Sequence, residues 1–103
     1  MVLSNGAAVS MDPWHDRVDG IVEAWLSGQA AGAAVADVLF GRVNPAGKTA
    51  ETFPLRLEDT PGQPNWLGER GTVLYGEGVF IGYRWYDALH RAVRYPFGKL
   101  CVL

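Results

Sequence analysis

Ile21 to Pro54 reads IVEAWLSGQAAGAAVADVLFGRVNPAGKTAETFP, and the order of elements along it decides the fold class. Ile21-Val22-Glu23-Ala24-Trp25-Leu26 fits a strand or a helical turn by pattern alone. The strand is preferred because a clearer helix follows directly. Gln29 to Phe40 is rich in alanine, and Ala31, Ala34, Val35, Val38 and Leu39 recur at helical spacings. Gly41 stands where a left-handed C-terminal cap belongs. Asn44-Pro45-Ala46-Gly47 then predicts a turn, and Lys48 to Phe53 a short strand closed by Pro54. Strand, helix, turn, strand is the grammar of an α/β layer.

Working outward, Val2-Leu3-Ser4-Asn5-Gly6 predicts the end of a buried strand that stops at a turn. Ala7 to Met11 predicts a second short extended piece, and Asp12-Pro13 a turn ahead of Trp14. Beyond Pro54 the character changes. Leu55 to Gly71 holds two prolines, three glycines and many polar residues, the composition of a surface loop or linker. Gly78 to Asp87 is dense in aromatics and fits either an alternating strand or a helix with Val79, Tyr83 and Tyr86 on one face. His90 to Arg94 is expected to be a weakly basic connector, Tyr95-Pro96-Phe97-Gly98 a turn, and Leu100 to Leu103 a short apolar end. The expected architecture is α/β: a partial sandwich of mostly parallel strands with a packed helix, followed by an irregular aromatic-rich segment. The expected boundaries are 1–54 for the sandwich portion, 55–77 for a loop or linker, and 78–103 for an exit segment.

Length and composition narrow the function. The 103 residues make one small domain or a piece of one, and with 49% apolar and 19% charged residues the composition is globular. A net charge of −2 leaves no basic footprint for nucleic acid or for a membrane surface. Cys101 is the one cysteine, which excludes an intrachain disulfide and a Cys-based metal cluster. The start lacks a basic segment followed by a long apolar stretch, so no signal peptide is read, and Ala30 to Phe40 is too short to span a membrane. A cytoplasmic location is the default expectation.

Several catalytic signatures fail on spacing. Gly76, Gly78 and Gly82 give a G-x-G-x-x-x-G, one residue too long for the dinucleotide fingerprint. Ser27 lacks the glycine two positions earlier that a nucleophile elbow needs. His15 and His90 stand far apart, so no metal site and no cofactor is expected. Asp12, Asp16 and Asp19 cluster near the start, where capping and solvation of a short helical turn is the favoured role over chemistry. Glu69 and Glu77 flank the aromatic loop. Sugar hydrolysis needs two carboxyl groups at a fixed separation, and either glutamate has the right chemistry to be one of them. Pairing with Arg70 or Arg84, or simple solvation, is the commoner fate of such groups. Aromatic faces stack on sugar C–H surfaces while their polar tips hydrogen-bond. Of the four tryptophans, Trp25 lies in an apolar run and is assigned to packing, whereas Trp66 sits in a Pro/Gly loop that suits exposure. Arg84, between Tyr83 and Trp85, either orients a buried group or stacks on a ring. The candidate substrate-binding residues are therefore Trp66, Glu69, Glu77 and Trp85.

The wording of the segments goes further than their physics. Val2-Leu3-Ser4-Asn5-Gly6, Pro13-Trp14, Ala24-Trp25-Leu26-Ser27-Gly28-Gln29, Ala36-Asp37-Val38-Leu39-Phe40-Gly41, Asn44-Pro45-Ala46-Gly47-Lys48 and Thr52-Phe53-Pro54 resemble, in this order, family 3 glycoside hydrolases of the β-glucosidase-like branch. The resemblance resumes from Tyr75 through Asp87 and at Tyr95-Pro96-Phe97-Gly98. It implies a position in a larger enzyme, in the later part of an α/β sandwich domain that accompanies a barrel domain. The family's nucleophilic aspartate lies on the barrel and its acid/base glutamate upstream of Val2, so the resemblance assigns no catalytic residue here. The family mechanism is retaining and needs both carboxylates together. Thr49-Ala50 stand where the family has Leu-Pro, Asp12 resembles an insertion, and Lys99 to Leu103 replaces a glycine-leucine-serine-tyrosine run, as a truncated or frameshifted tail would.

The resemblance implies a parent enzyme hydrolysing terminal β-O-glycosidic bonds of small or oligosaccharide glycosides, with the missing barrel domain as partner. This chain alone is expected to be inactive. The alternative expectation is a non-catalytic remnant that binds sugar or associates with another domain. A third is a chain without function that folds poorly, because a cut parallel sheet leaves open edges.

Overall fold

The computed structural model describes residues 1–99. The expectations placed on Leu100 to Leu103, Cys101 among them, lie outside the described residues. The chain forms β1 (Val2–Leu3), a 3-10 turn at His15–Arg17, β2 (Val22–Glu23), α1 (Ala31–Leu39) and β3 (Phe53–Pro54). Two further 3-10 turns, Leu57–Asp59 and Gln63–Asn65, precede α2 (Tyr83–Ala88) and β4 (Val93–Tyr95). β1 and β2 are parallel, with Val2 opposite Val22 and Leu3 opposite Glu23. β3 and β4 are antiparallel, with Phe53 opposite Tyr95 and Pro54 opposite Val93, and the register is irregular at Phe53 and Pro54. Proline has no N–H to give the ladder, which fits an irregularity at that position. The result is a mixed α/β arrangement with one parallel and one antiparallel pair.

α1 starts two residues later than its alanine-rich pattern and ends as expected. Gly41 takes φ +70° and donates its N–H to the Val38 carbonyl, while the Arg42 N–H reaches back to the Asp37 carbonyl. These two bonds form a Schellman ending, which satisfies carbonyls that the last helical turn would leave open. The Arg42 guanidinium adds a 3.2 Å contact to the Asp37 carboxylate. Ala31, Val35 and Val38 are half-buried as the spacing predicted, whereas Ala34 and Leu39 are exposed. An open cleft of about 520 Å³ separates much of α1 from β2.

Three expectations change in position. Ala7 to Met11 forms no strand, yet Met11 is almost fully buried. Of the expected Lys48–Phe53 strand only Phe53 pairs into a ladder with a second strand, joined by Pro54, which was expected to close it. The expected connector His90–Arg94 instead leads into β4, whose partner lies about forty residues earlier. The aromatic segment resolves into the helical alternative, but from Tyr83 onward, because Gly82 at φ +55° breaks the run before it. Asp16 lies in a 3-10 turn that ends before Asp19, so the two do not share a helix face.

The core is small. Met11, Phe53 and Tyr86 are buried among the described residues, together with the Pro54 ring. Phe53 meets the Tyr95 ring edge-on at 6.2 Å and the Trp25 ring at 5.9 Å. Full burial of such a side chain is worth about 1.5–3 kcal/mol. The Tyr95 hydroxyl and His15 Nε2 are 2.8 Å apart, and His15 Nδ1 lies 2.7 Å from the Asp16 carboxylate. Arg94 donates to Asp12 at 2.7 Å. These bonds tie the first 3-10 turn to β4 across some eighty residues of chain.

Candidate functional site

The second half of the chain is organised around Asp59. Its carboxylate is 11% exposed and accepts hydrogen bonds from Arg56 Nε and Nη2 and from Arg91 Nη1, at 3.2, 2.9 and 3.1 Å. A near-buried carboxylate is tolerable when charged donors surround it. The Arg56 hydrogen bonds hold the Asp59 carboxyl below its ordinary range, with Arg91 adding in the same direction. The Asp59 carbonyl accepts from the Trp85 indole N–H at 2.9 Å, and the Arg91 guanidinium lies 5.6 Å from the Trp85 ring centre. Asp59 therefore fastens the 57–59 turn to α2.

This determines where the four candidate residues stand. Trp85 is half-buried, with its polar tip and one ring contact committed to Asp59 and Arg91. Trp66 follows the 63–65 turn and is 72% exposed, free to offer its ring. Glu69 is exposed, and its backbone forms a two-way bridge with Thr72. Glu77 is half-buried, and its carbonyl accepts the Phe80 N–H. Neither glutamate pairs with Arg70 or Arg84 among the described residues, so of the two expected fates, pairing or solvation, the ion pair is not taken. Arg84 takes the stacking alternative, 6.0 Å from the Tyr83 ring centre. Trp25 packs on Phe53, as its apolar run predicted.

A cleft of about 540 Å³ lies elsewhere, between the 51–54 segment and α2. Glu51, Pro61, Ile81, Tyr83, Tyr86 and Phe97 are among its lining residues, and none of the four candidates is. Tyr83 and Phe97 stack at 5.1 Å. Glu51 accepts the Ala8 N–H at 2.8 Å. Tyr86 is 5% exposed, its hydroxyl has no hydrogen-bond partner among the described residues, and burial pushes its phenol up. The sequence singled out Tyr86 only as one face of a possible helix, and nothing in its spacing marks Glu51. Among the described residues no three His, Cys, Asp or Glu side chains converge as a metal site would require.

Fold and surface together define an α/β layer that carries aromatic loops and, among the described residues, places no facing pair of free carboxylates in the cleft between the 51–54 segment and α2. Residues 1–83 match the glycosyl hydrolase family 3 C-terminal domain, and the chain belongs to that family. Over 98 residues it is 54% identical to an exo-α-(1→6)-L-arabinopyranosidase of Bifidobacterium longum, and 53% identical to thermostable β-glucosidase B of Acetivibrio thermocellus. Each match takes in 95% of this chain and 13% of the relative. A crystal structure of the Bifidobacterium adolescentis family 3 β-glucosidase superposes with a TM-score of 0.88 at 56% identity, over 97% of this chain and 15% of that one. The glucose complex of the Kluyveromyces marxianus β-glucosidase gives 0.89 at 42% identity, over 97% and 12%. The chain thus spans about an eighth of the length of these relatives.

Proposed function

We propose that this chain is a portion of a β-glucosidase-like hydrolase that cleaves terminal β-O-glycosidic bonds, with both catalytic carboxylates supplied from outside it. The observation that carries the reading is the superposition on family 3 β-glucosidases along nearly the whole chain, at 56% identity in one case. On this reading residues 1–54 belong to the sandwich domain, 55–77 form its loop and 78–103 lead out of it. The partner is the barrel domain. Trp66, Glu69 and Glu77 form loop walls near the sugar, and Trp85 holds those walls in place. Relatives named for an arabinopyranoside and for β-glucosidase activity match this segment almost equally well.

Trp66 favours a second reading, a non-catalytic module that binds sugar weakly, because its ring is open to solvent. One experiment separates the two. The purified 103-residue chain is given a chromogenic aryl β-glucoside, and glucose binding is titrated in the same preparation. The portion-of-an-enzyme reading expects neither turnover nor saturable binding from a folded sample. Saturable binding lost in Trp66→Ala supports the module. Turnover abolished by Glu69→Gln or Glu77→Gln overturns the placement of the catalytic pair.

A further inference from the structure

We propose that the Asn5–Gly6 step after β1 is a self-modification site, where the chain converts Asn5 into aspartate and isoaspartate through a cyclic imide. The reaction needs the backbone nitrogen of the following residue to reach the asparagine Cγ. The chain has three asparagines, and their followers differ in whether they allow this. Asn44 precedes Pro45, whose ring nitrogen has no proton to lose. Asn65 precedes Trp66, whose N–H is held by the Gln63 carbonyl at 3.2 Å. Asn5 precedes Gly6, which is exposed and has no side chain to hinder a close approach. The Gly6 N–H donates to no acceptor among the described residues. Asn5 alone therefore has an attacking nitrogen that is both protonated and free.

The Asn5 side chain is already turned toward that nitrogen. Its Nδ2 donates to the Ala7 carbonyl at 2.6 Å, so the carboxamide folds forward over the Gly6 peptide. Holding an electrophile beside a nucleophile replaces a bimolecular encounter with an intramolecular one. The Gly6 nitrogen loses its proton to hydroxide and attacks Cγ. A Cγ–N bond forms, the Cγ–Nδ2 bond breaks, and Nδ2 leaves as ammonia with a proton taken from water. Water then opens the imide at either carbonyl. Opening at Cγ gives aspartate. Opening at the Asn5 backbone carbonyl gives isoaspartate, with the main chain routed through Cγ and one methylene longer. Aspartate loses the donor that the Ala7 carbonyl accepts from. Isoaspartate lengthens the chain between the Ser4–Trp25 bond at 3.1 Å and the Ala8–Glu51 bond at 2.8 Å, which fix the two ends of this turn. Either product loosens the end of β1, whether or not the chain serves an active hydrolase.

The test incubates the full 103-residue chain in mildly alkaline buffer, with and without urea. Peptide mapping by mass spectrometry follows each asparagine, and enzymatic methyl transfer to isoaspartate measures that product. In the folded chain Asn5 is expected to deamidate about tenfold or more faster than Asn65, and no slower than about a third of its rate in urea. Asn65 is expected to speed up in urea, where the Trp66 N–H is released from Gln63. A Cβ at Gly6 meets the Leu26 Cδ1 at 3.4 Å, an ordinary contact, so Gly6→Ala is expected to fold, and circular dichroism verifies it. The added methyl crowds the attacking nitrogen, and Gly6→Ala is expected to slow the reaction about tenfold. Reaction at Asn5 in urea alone overturns the proposal, because the fold would then shield the step. A folded-state rate equal to that of Asn65 does the same. Aspartate without isoaspartate, or an unchanged rate in Gly6→Ala, overturns the imide route, since water would then be attacking the carboxamide directly. The comparison with urea and the product ratio decide the matter without any variant.

Discussion

Asp59 and Tyr86 are neighbours in the fold whose carboxyl and phenol are displaced in opposite directions, and each leaves its own mark on stability. Hydrogen bonds from Arg56 hold the Asp59 carboxyl below its ordinary value of 3.8. A carboxyl lowered by folding adds stability that is present above the unfolded value and is lost as pH falls through the folded one. Thermal unfolding followed from pH 6 to pH 2 should therefore show a falling Tm below about pH 4. Asp59→Asn should flatten that acid limb and lower Tm near neutrality, and an unchanged acid limb would exclude Asp59 as its source. Asp16, lowered by its hydrogen bond with His15, adds a smaller contribution of the same sign from an exposed position. Tyr86 is raised by burial above 10.0, so its contribution is complete below that value and lost as pH rises past it. Tyr86→Phe should make stability less sensitive to pH between 9 and 11. At the third residue of this core the effect is packing. Phe53 is 1% exposed between Trp25 and Tyr95, and Phe53→Ala should cost about 3–5 kcal/mol in urea unfolding.

At the scale of elements, a single substitution type separates α1 from α2. Gly32 lies inside α1 with open space around it and ordinary helical backbone. Gly32→Ala should stabilise by about 0.5–1 kcal/mol, since glycine costs a helix interior that much. Gly82 opens α2 at φ +55° and ψ −133°, a conformation that side chains disfavour. Gly82→Ala should destabilise by about 1–3 kcal/mol, and equal signs at the two positions would contradict both assignments. The same contrast explains what was legible in the sequence. α1 was readable because its alanines, its period and Gly41 all act within fifteen residues. The sequence at α2 fits helix and strand alike because Gly82, which settles it, acts through backbone conformation rather than through hydrophobic spacing. β4 was missed because three residues gain a strand only from Phe53 and Pro54 far upstream. Among the site residues, the exposure of Trp66 followed from its Pro/Gly setting. The commitment of Trp85 to Asp59 did not, because that bond joins residues twenty-six apart with no local signal.

For the whole molecule, the decisive quantity is how little it buries for its length. The Cα radius of gyration is 16.0 Å, and the molecule measures 51 by 30 by 26 Å. A compact chain of this length should have a radius near 13 Å. The excess arises because the two strand pairs belong to separate two-stranded sheets and because the 66–83 segment keeps Trp66, Leu67, Leu74, Tyr75 and Val79 outside. A small core leaves little hydrophobic stabilisation to set against the chain entropy of ordering about a hundred residues. X-ray scattering of the purified chain, in the concentration range where it is monomeric, should therefore give a radius nearer 16 Å than 13 Å. Urea unfolding should give a slope at or below about 1 kcal/mol/M, because the slope follows the surface exposed on unfolding. A radius near 13 Å with a steep transition would mean that the chain folds this apolar segment onto itself, and the open layer described here would not be the state in solution.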